Sequence, residues 1–372
     1  TATATASPSA TPTGQVLGEG EGPNDEDGGG SDGFQRVAGE SVGYVPAIVA
    51  MVPAVDEVSD KPSVLATNAA MMGGILLLIL FGSELFNQTL QHYRDDVIDP
   101  WWRRVGAPWN NFVNGISGSS GAFGKVAAFI GVLGLTGVIY TFLEPDVGFN
   151  SHTAVLFLSI VVGTGILTYV YSGLEVNMLK RLFGAQAAIR VFAPSLLIAL
   201  ISVIVSKLID LNPGIVYGFV ASTVLLQHAD IPHKEEGKVD FVPLTACLVL
   251  SVGSWLLTPI VRDANADGGN FFLAVTEGVL VMTFIGGIEA LIWNMIPLRV
   301  MDGGKILLWN KWVWIGLTAI SVFLFWHVLL NQERAGFDAL QETASVGVLL
   351  ICVAYAAVAV GTWAYFRARF QH

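Results

Sequence analysis

Residues 293 to 306 read WNMIPLRVMDGGKI and close a long apolar run. Within them Asn294, Pro297, Asp302, Gly303 and Gly304 stand at the spacing N-x-x-P-x-x-x-x-D-G-G. A proline that stops a helix, a glycine pair that turns the chain and an aspartate at the turn can deliver a carboxylate to the edge of a membrane. A carboxylate placed there needs a compensating cation, whether a metal or a base. The same residues also describe a plain helix-ending turn, in which Asp302 pairs with Arg299 or Lys305.

Ionisable residues inside apolar runs are the next candidates, because charge in lipid is costly and marks function by default. Glu289, in FIGGIEALIWN, lies a turn or two before the motif. Leaving it unpaired at membrane depth would cost roughly 2.5–3.5 kcal/mol, so it must meet a partner, a cavity or a proton. Gly286 and Gly287 before it permit close helix approach. Glu277 lies at the other end of the same run and reads as an interfacial carboxylate in reach of water. His327, four residues before Asn331, reads as a hydrogen bond between helices. Glu175 stands beside a basic loop, with Lys180 or Arg181 as expected partner. Asn212, Pro213 and Gly214 interrupt another apolar stretch as a helix break or re-entrant turn.

The one local cluster with metal-like residue types is LLQHADIPHKEEGK, holding His228, Asp230, His233, Glu235 and Glu236. Its histidines are five apart with Pro232 between them. They do not share a helical face, so the stretch reads as a polar loop. Cys247 and Cys352 both lie in apolar runs and read as small buried hydrophobes, with no disulfide or zinc spacing.

The NMIPLRVMDGG stretch resembles the N-x-x-P-x-P-x-L-D-G motif of the site-2 intramembrane zinc metalloproteases. The resemblance implies that Asp302 stands where that family has its third zinc ligand. Asn294 and Pro297 would then shape the helix end, and Gly303 would allow the turn. The family's other motif, HExxH, supplies two ligands and the general base. None of His92, His152, His228, His233, His327 and His372 is followed by Glu, and no two are four apart. No metal is therefore expected, zinc included, and Asp302 is the only motif-matched candidate ligand.

A second resemblance covers roughly residues 64 to 335. LFGSELFNQTL, VIVSKLIDLNPGIVYGF, IEALIWNMIPLRVMDGGKILLWNKWVW and FLFWHVLLN are similar to actinobacterial multi-pass proteins named for an FGLLP motif. In this chain the corresponding run is Trp293 to Arg299, and only its Pro297-Leu298-Arg299 end is kept strictly. That resemblance implies an architecture and a bacterial plasma membrane, without an activity.

The elements that must position these residues follow from composition. The chain of 372 residues is 53% hydrophobic and only 13% charged, with mean hydropathy +0.61. Soluble domains carry about a quarter charged residues, so the chain reads as an all-α polytopic integral membrane protein. The net charge of −11 is mostly local: residues 1–61 hold ten acids against Arg36 and Lys61. Residues 1–62, opening on TATATASPSATPTG, are expected to be a disordered, acidic extracytoplasmic linker. Residues 63–372 form the transmembrane domain. SVGYVPAIVAMVPAV, at 41–55, is too short to span and should lie along the surface.

About nine transmembrane helices are expected, near 64–85, 123–142, 153–173, 191–209, 213–227, 241–261, 271–296, 312–331 and 344–366. Around Asn212-Pro213-Gly214 the alternatives are two spans with a tight turn or one broken helix. Arginine and lysine concentrate in alternate loops, which places the N-terminus outside and the C-terminus in the cytoplasm. Tryptophans in DPWWRR and LLWNKWVW are expected as headgroup anchors on the cytoplasmic side. No long internal repeat, nucleotide fingerprint or nucleic-acid patch is present.

The expected function is a non-enzymatic membrane scaffold or regulator with a degenerate protease-like core. Its expected partners are the lipid bilayer and another membrane protein or a client helix, with no nucleic acid. Two rivals remain open: a zinc protease using Asp302 with His228 or Glu289, and a small-solute or ion transporter lined by Glu289 and Asn294.

Overall fold

The computed structural model describes residues 41–93, 122–226, 231–299, 301–341 and 343–370. The tail before residue 41, the DPWWRR tryptophans, His228 and Asp230 lie outside the described residues. Among the described residues seven helices are long and apolar enough to cross a membrane. They fall within α2 (Pro62–Tyr93), α3 (Ala122–Thr141), α4 (Ser151–Phe183), α6 (His233–Ala264), α7 (Phe271–Asn294), α9 (Lys311–Leu324) with its π-helical continuation Phe325–Leu330, and α10 (Thr343–Phe370). Shorter elements are α1 (Ala47–Ala50), α5 (Pro194–Leu208), α8 (Asp302–Trp309) and a 3-10 turn at Gly336–Gln341. Strands β1 (Ala187–Val191) and β2 (Ala221–Leu225) pair antiparallel, with Ile189 opposite Thr223.

Asparagine caps start three helices. Asn150 accepts from the Thr153 amide at 2.8 Å, Asn270 from Phe272 and Leu273, and Asn310 from Trp312 and Val313. Each cap satisfies amides that the first turn leaves without intrahelical partners. Gly184, at φ +63°, ends α4 in the left-handed conformation that glycine tolerates best.

Helix α7 is the hub. It packs against α4 and α6 on two sides and against α9 on another, while α2 and α10 pair with each other further out. In α7 and α9, 61% of the spanning window is buried inside the protein, against 22% in α2 and α10. Glycine makes that hub possible: a Cβ on Gly278 would meet Ser159 Oγ at 2.1 Å, and one on Gly287 would meet Ser251 Oγ at 1.8 Å. Such small-residue contacts let apolar helices approach closely where no hydrophobic effect drives them together.

Two expectations are corrected. The apolar stretch 213–227 is neither a helix nor half of a broken one. After α5, residues 209–220 run without regular structure into β2. Their backbone is held by side chains from surrounding helices. The Ile215 amide donates to Ser206 Oγ at 2.8 Å, that of Tyr217 to the Tyr140 hydroxyl at 2.7 Å, and that of Val220 to Thr168 Oγ1 at 3.1 Å. Irregular backbone survives at membrane depth only when protein satisfies it in this way. Helix α5 has 15 residues, about 22 Å at 1.5 Å per residue, short of a full hydrocarbon core.

The second correction concerns residues 41–58, expected to belong to the linker. They fold onto one end of the helices, burying Val45, Ile48, Val49 and Val52. Glu144 accepts from the Ala47 amide at 2.8 Å, and Trp255 Nε1 donates to the Pro53 carbonyl at 2.9 Å. The apolar residues between Pro46 and Pro53 are too few to span, but enough to cap a bundle end.

Candidate functional site: a carboxylate cluster around Asp302

The motif loop is built by close packing. Pro297 lies just beyond the end of α7, and the chain turns back so that α8 starts against the loop it has just left. A Cβ on Gly303 would meet the Met295 carbonyl oxygen at 2.4 Å, and one on Gly304 the Leu298 oxygen at 2.2 Å. Only glycine fits both positions. Asn87 of α2 clamps the turn, donating to the Pro297 carbonyl at 2.8 Å and accepting from the Arg299 amide at 3.0 Å. Trp314 Nε1 donates to the Met295 carbonyl at 2.8 Å. Asn294 donates to the Ala290 carbonyl one turn back, at 2.7 Å.

This packing fixes Asp302 at the first position of α8, facing α4 and α6. The Tyr171 hydroxyl donates to Asp302 Oδ2 at 2.5 Å, and Lys305 Nζ lies 3.0 Å from Asp302 Oδ1. The same ammonium lies 3.2 Å from Asp240 Oδ2, a carboxylate buried in α6. Glu175, one turn beyond Tyr171, lies within electrostatic reach of Asp302 and Lys305. Tyr171 is held flat by Phe219 of the irregular segment, with ring centroids 4.6 Å apart. Burial alone would lower the Lys305 ammonium, but the carboxylates of Asp302 and Asp240 outweigh it and push it above its ordinary value.

Lys305 is therefore the cation that compensates Asp302, one of the two partners that the sequence spacing offered. Glu175 is turned inward to this cluster. Asp240 and Tyr171 were not singled out from the sequence. The available signal was that Tyr171 and Glu175 stand four apart on one helix face, and that Asp240 sits next to an apolar run.

The arrangement does not fit a zinc ion. A catalytic zinc takes three protein ligands and keeps an open position. Here both Asp302 oxygens are engaged, the helix opposite presents a phenol, and an ammonium stands between two carboxylates. Among the described residues no group of three His, Cys, Asp or Glu is placed to hold a metal.

The remaining candidates sit elsewhere. Glu289 is 3% exposed and accepts from the Val216 amide of the irregular segment. Glu277 is fully buried and pairs with Arg262 Nε at 3.0 Å, so it is not the water-facing carboxylate expected. The folded 41–58 segment covers that end: Arg262 also donates to the Val52 carbonyl at 3.0 Å. His327 Nδ1 lies 2.7 Å from Asn68 Nδ2, and Asn331 donates to Asn68 Oδ1 at 2.6 Å, tying α9 to α2. Asn212, Pro213 and Gly214 form the turn that sends the irregular segment back, with Gly214 at φ +94°. None of these joins the Asp302 cluster. Set beside known proteins, the chain matches no family model, no curated protein and no solved structure.

Proposed function

We propose that this chain is a multi-pass membrane scaffold or regulator whose protease-like loop is kept as architecture without metal chemistry. The observation that carries this reading is the closed charge arrangement at Asp302. Its two oxygens are engaged by Tyr171 and Lys305, and Lys305 is shared with Asp240. The i, i+4 pair facing Asp302 is Tyr171 and Glu175, neither of them a histidine. Neither a phenol nor a shared ammonium activates water as a metal does.

In this reading the membrane is a bacterial plasma membrane and the N-terminus lies outside it, an orientation supported by the lysines and arginines of alternate loops. The carboxylate cluster then lies toward the cytoplasm. Its partner is another membrane protein or a client helix. The test is metal content of the detergent-purified protein beside Asp302→Ala, together with photo-crosslinking in membranes. No stoichiometric metal in either form and a recurrent crosslinked membrane partner are expected. Near-stoichiometric zinc that disappears in the variant would restore the protease. A crosslink screen without any partner would remove the scaffold.

A transporter remains the second reading, favoured by the irregular segment buried among helices. It requires solute flux in liposomes that falls on Glu289→Gln.

A further inference from the structure

Glu289 does more than hold the Val216 amide. It is the one carboxylate among the described residues lining a cavity of about 180 Å³, walled by α2, α7, α9 and α10. The walls are apolar, with Ile75, Ile79, Val322 and Val348 among them. Trp293 and Ile351, which are 39% and 37% exposed, also line it and leave it open toward lipid. Glu289 lies five residues before the end of α7 at Asn294, about 8 Å at 1.5 Å per residue. A polar group entering from that end of the bundle can therefore reach it.

We infer that this cavity is a binding site for a small-headed, single-chain amphiphile carrying a primary amine. Three features select that chemistry. The volume exceeds the 150 Å³ or so that takes a benzene-sized body, yet it is too small for a two-chain lipid or a helix. The apolar walls suit methylenes, and the open side lets the rest of the chain lie against lipid. The single carboxylate in the lining favours a hydrogen-bond donor, and most of all a cation, because an amine compensates it where water cannot.

The full chain in phosphatidylcholine nanodiscs provides the test, with binding of dodecylamine, dodecanol and dodecanoate measured by native mass spectrometry and thermal shift. Dodecylamine should bind at least tenfold tighter than dodecanoate, with dodecanol between them. Glu289→Gln keeps an acceptor for the Val216 amide and should weaken dodecylamine about tenfold while narrowing the preference. Val348→Trp fills the cavity and should abolish binding of all three, so the inference stays testable if Glu289→Gln fails to fold. Equal binding of amine and carboxylate, or dodecylamine binding that survives Val348→Trp, would overturn it. So would displacement of bound dodecylamine by a hydrophobic peptide that itself depends on Glu289, since the occupant would then be a protein segment.

Discussion

Asp302, which is partly buried, and Glu289, which is buried, lie thirteen positions apart in one stretch of chain, yet they are compensated in opposite ways. Asp302 meets a phenol and a lysine that is shared with a second acid. Glu289 meets one backbone amide and an apolar cavity. In the first arrangement both Asp302 oxygens are engaged by protein groups, and one ammonium is shared between two carboxylates. The second is open on one side. A carboxylate whose oxygens are both engaged by protein groups reads as architecture, whereas a buried one left facing a cavity reads as a site.

The sharpest way to break this contrast is to remove the shared cation. Lys305→Met should destabilise the protein by about 3–5 kcal/mol, because it strands the buried Asp240 carboxylate and the partly buried Asp302 beside it. Adding Asp240→Asn should recover a substantial part of that loss. Chemical unfolding in nanodiscs checks both. A loss under about 1 kcal/mol would mean that water already screens the cluster. Next in size, Gly218→Ala should cost about 1–3 kcal/mol, since its Cβ would sit 2.5 Å from the Gly286 carbonyl oxygen. This change separates the irregular segment from both acids.

On the open side, Glu289→Leu should cost about 1–3 kcal/mol by orphaning the Val216 amide. Glu289→Gln should cost under about 1 kcal/mol. Equal costs would show that charge, and not the acceptor, matters there. The smallest effect is a pH dependence. The Lys305 ammonium is raised in the folded state, so its contribution is complete below the unfolded value of about 10.4. It is lost only as pH rises toward the folded one. Wild type should lose stability above about pH 10 relative to Lys305→Arg, with no divergence between pH 6 and 9.

The spans were legible because each is a run of about 20 apolar residues, and no fold detail is needed to recognise one. The 213–227 stretch misled for the same reason. IVYGFVASTVLL is as apolar as a span though shorter than one, it is rich in β-branched residues, and it enters the bundle as extended chain with a strand at its end. Hydropathy reports burial, not the conformation in which a segment is buried. Residues 41–55 misled in the opposite direction, being too short to span and therefore assigned to the surface. In the structure their apolar side chains seat on the bundle end.

Within the site, the Asp302–Lys305 pair was legible from an i, i+3 spacing, and the glycine pair from the turn it makes. Asp240 was not. It lies 62 positions from Asp302, and only the packing of α6 against α8 brings it to Lys305. Glu277 and Glu175 were placed by their nearest neighbours in sequence, and both turned toward partners in the fold.

By itself the sequence determined the membrane class, seven of the helices and the absence of an HExxH motif, all of which depend on local composition and spacing. Only the tertiary structure decided which acids are neutralised and by what. Charge compensation at membrane depth depends on which helix faces lie against each other, and residues far apart in the chain supply those faces.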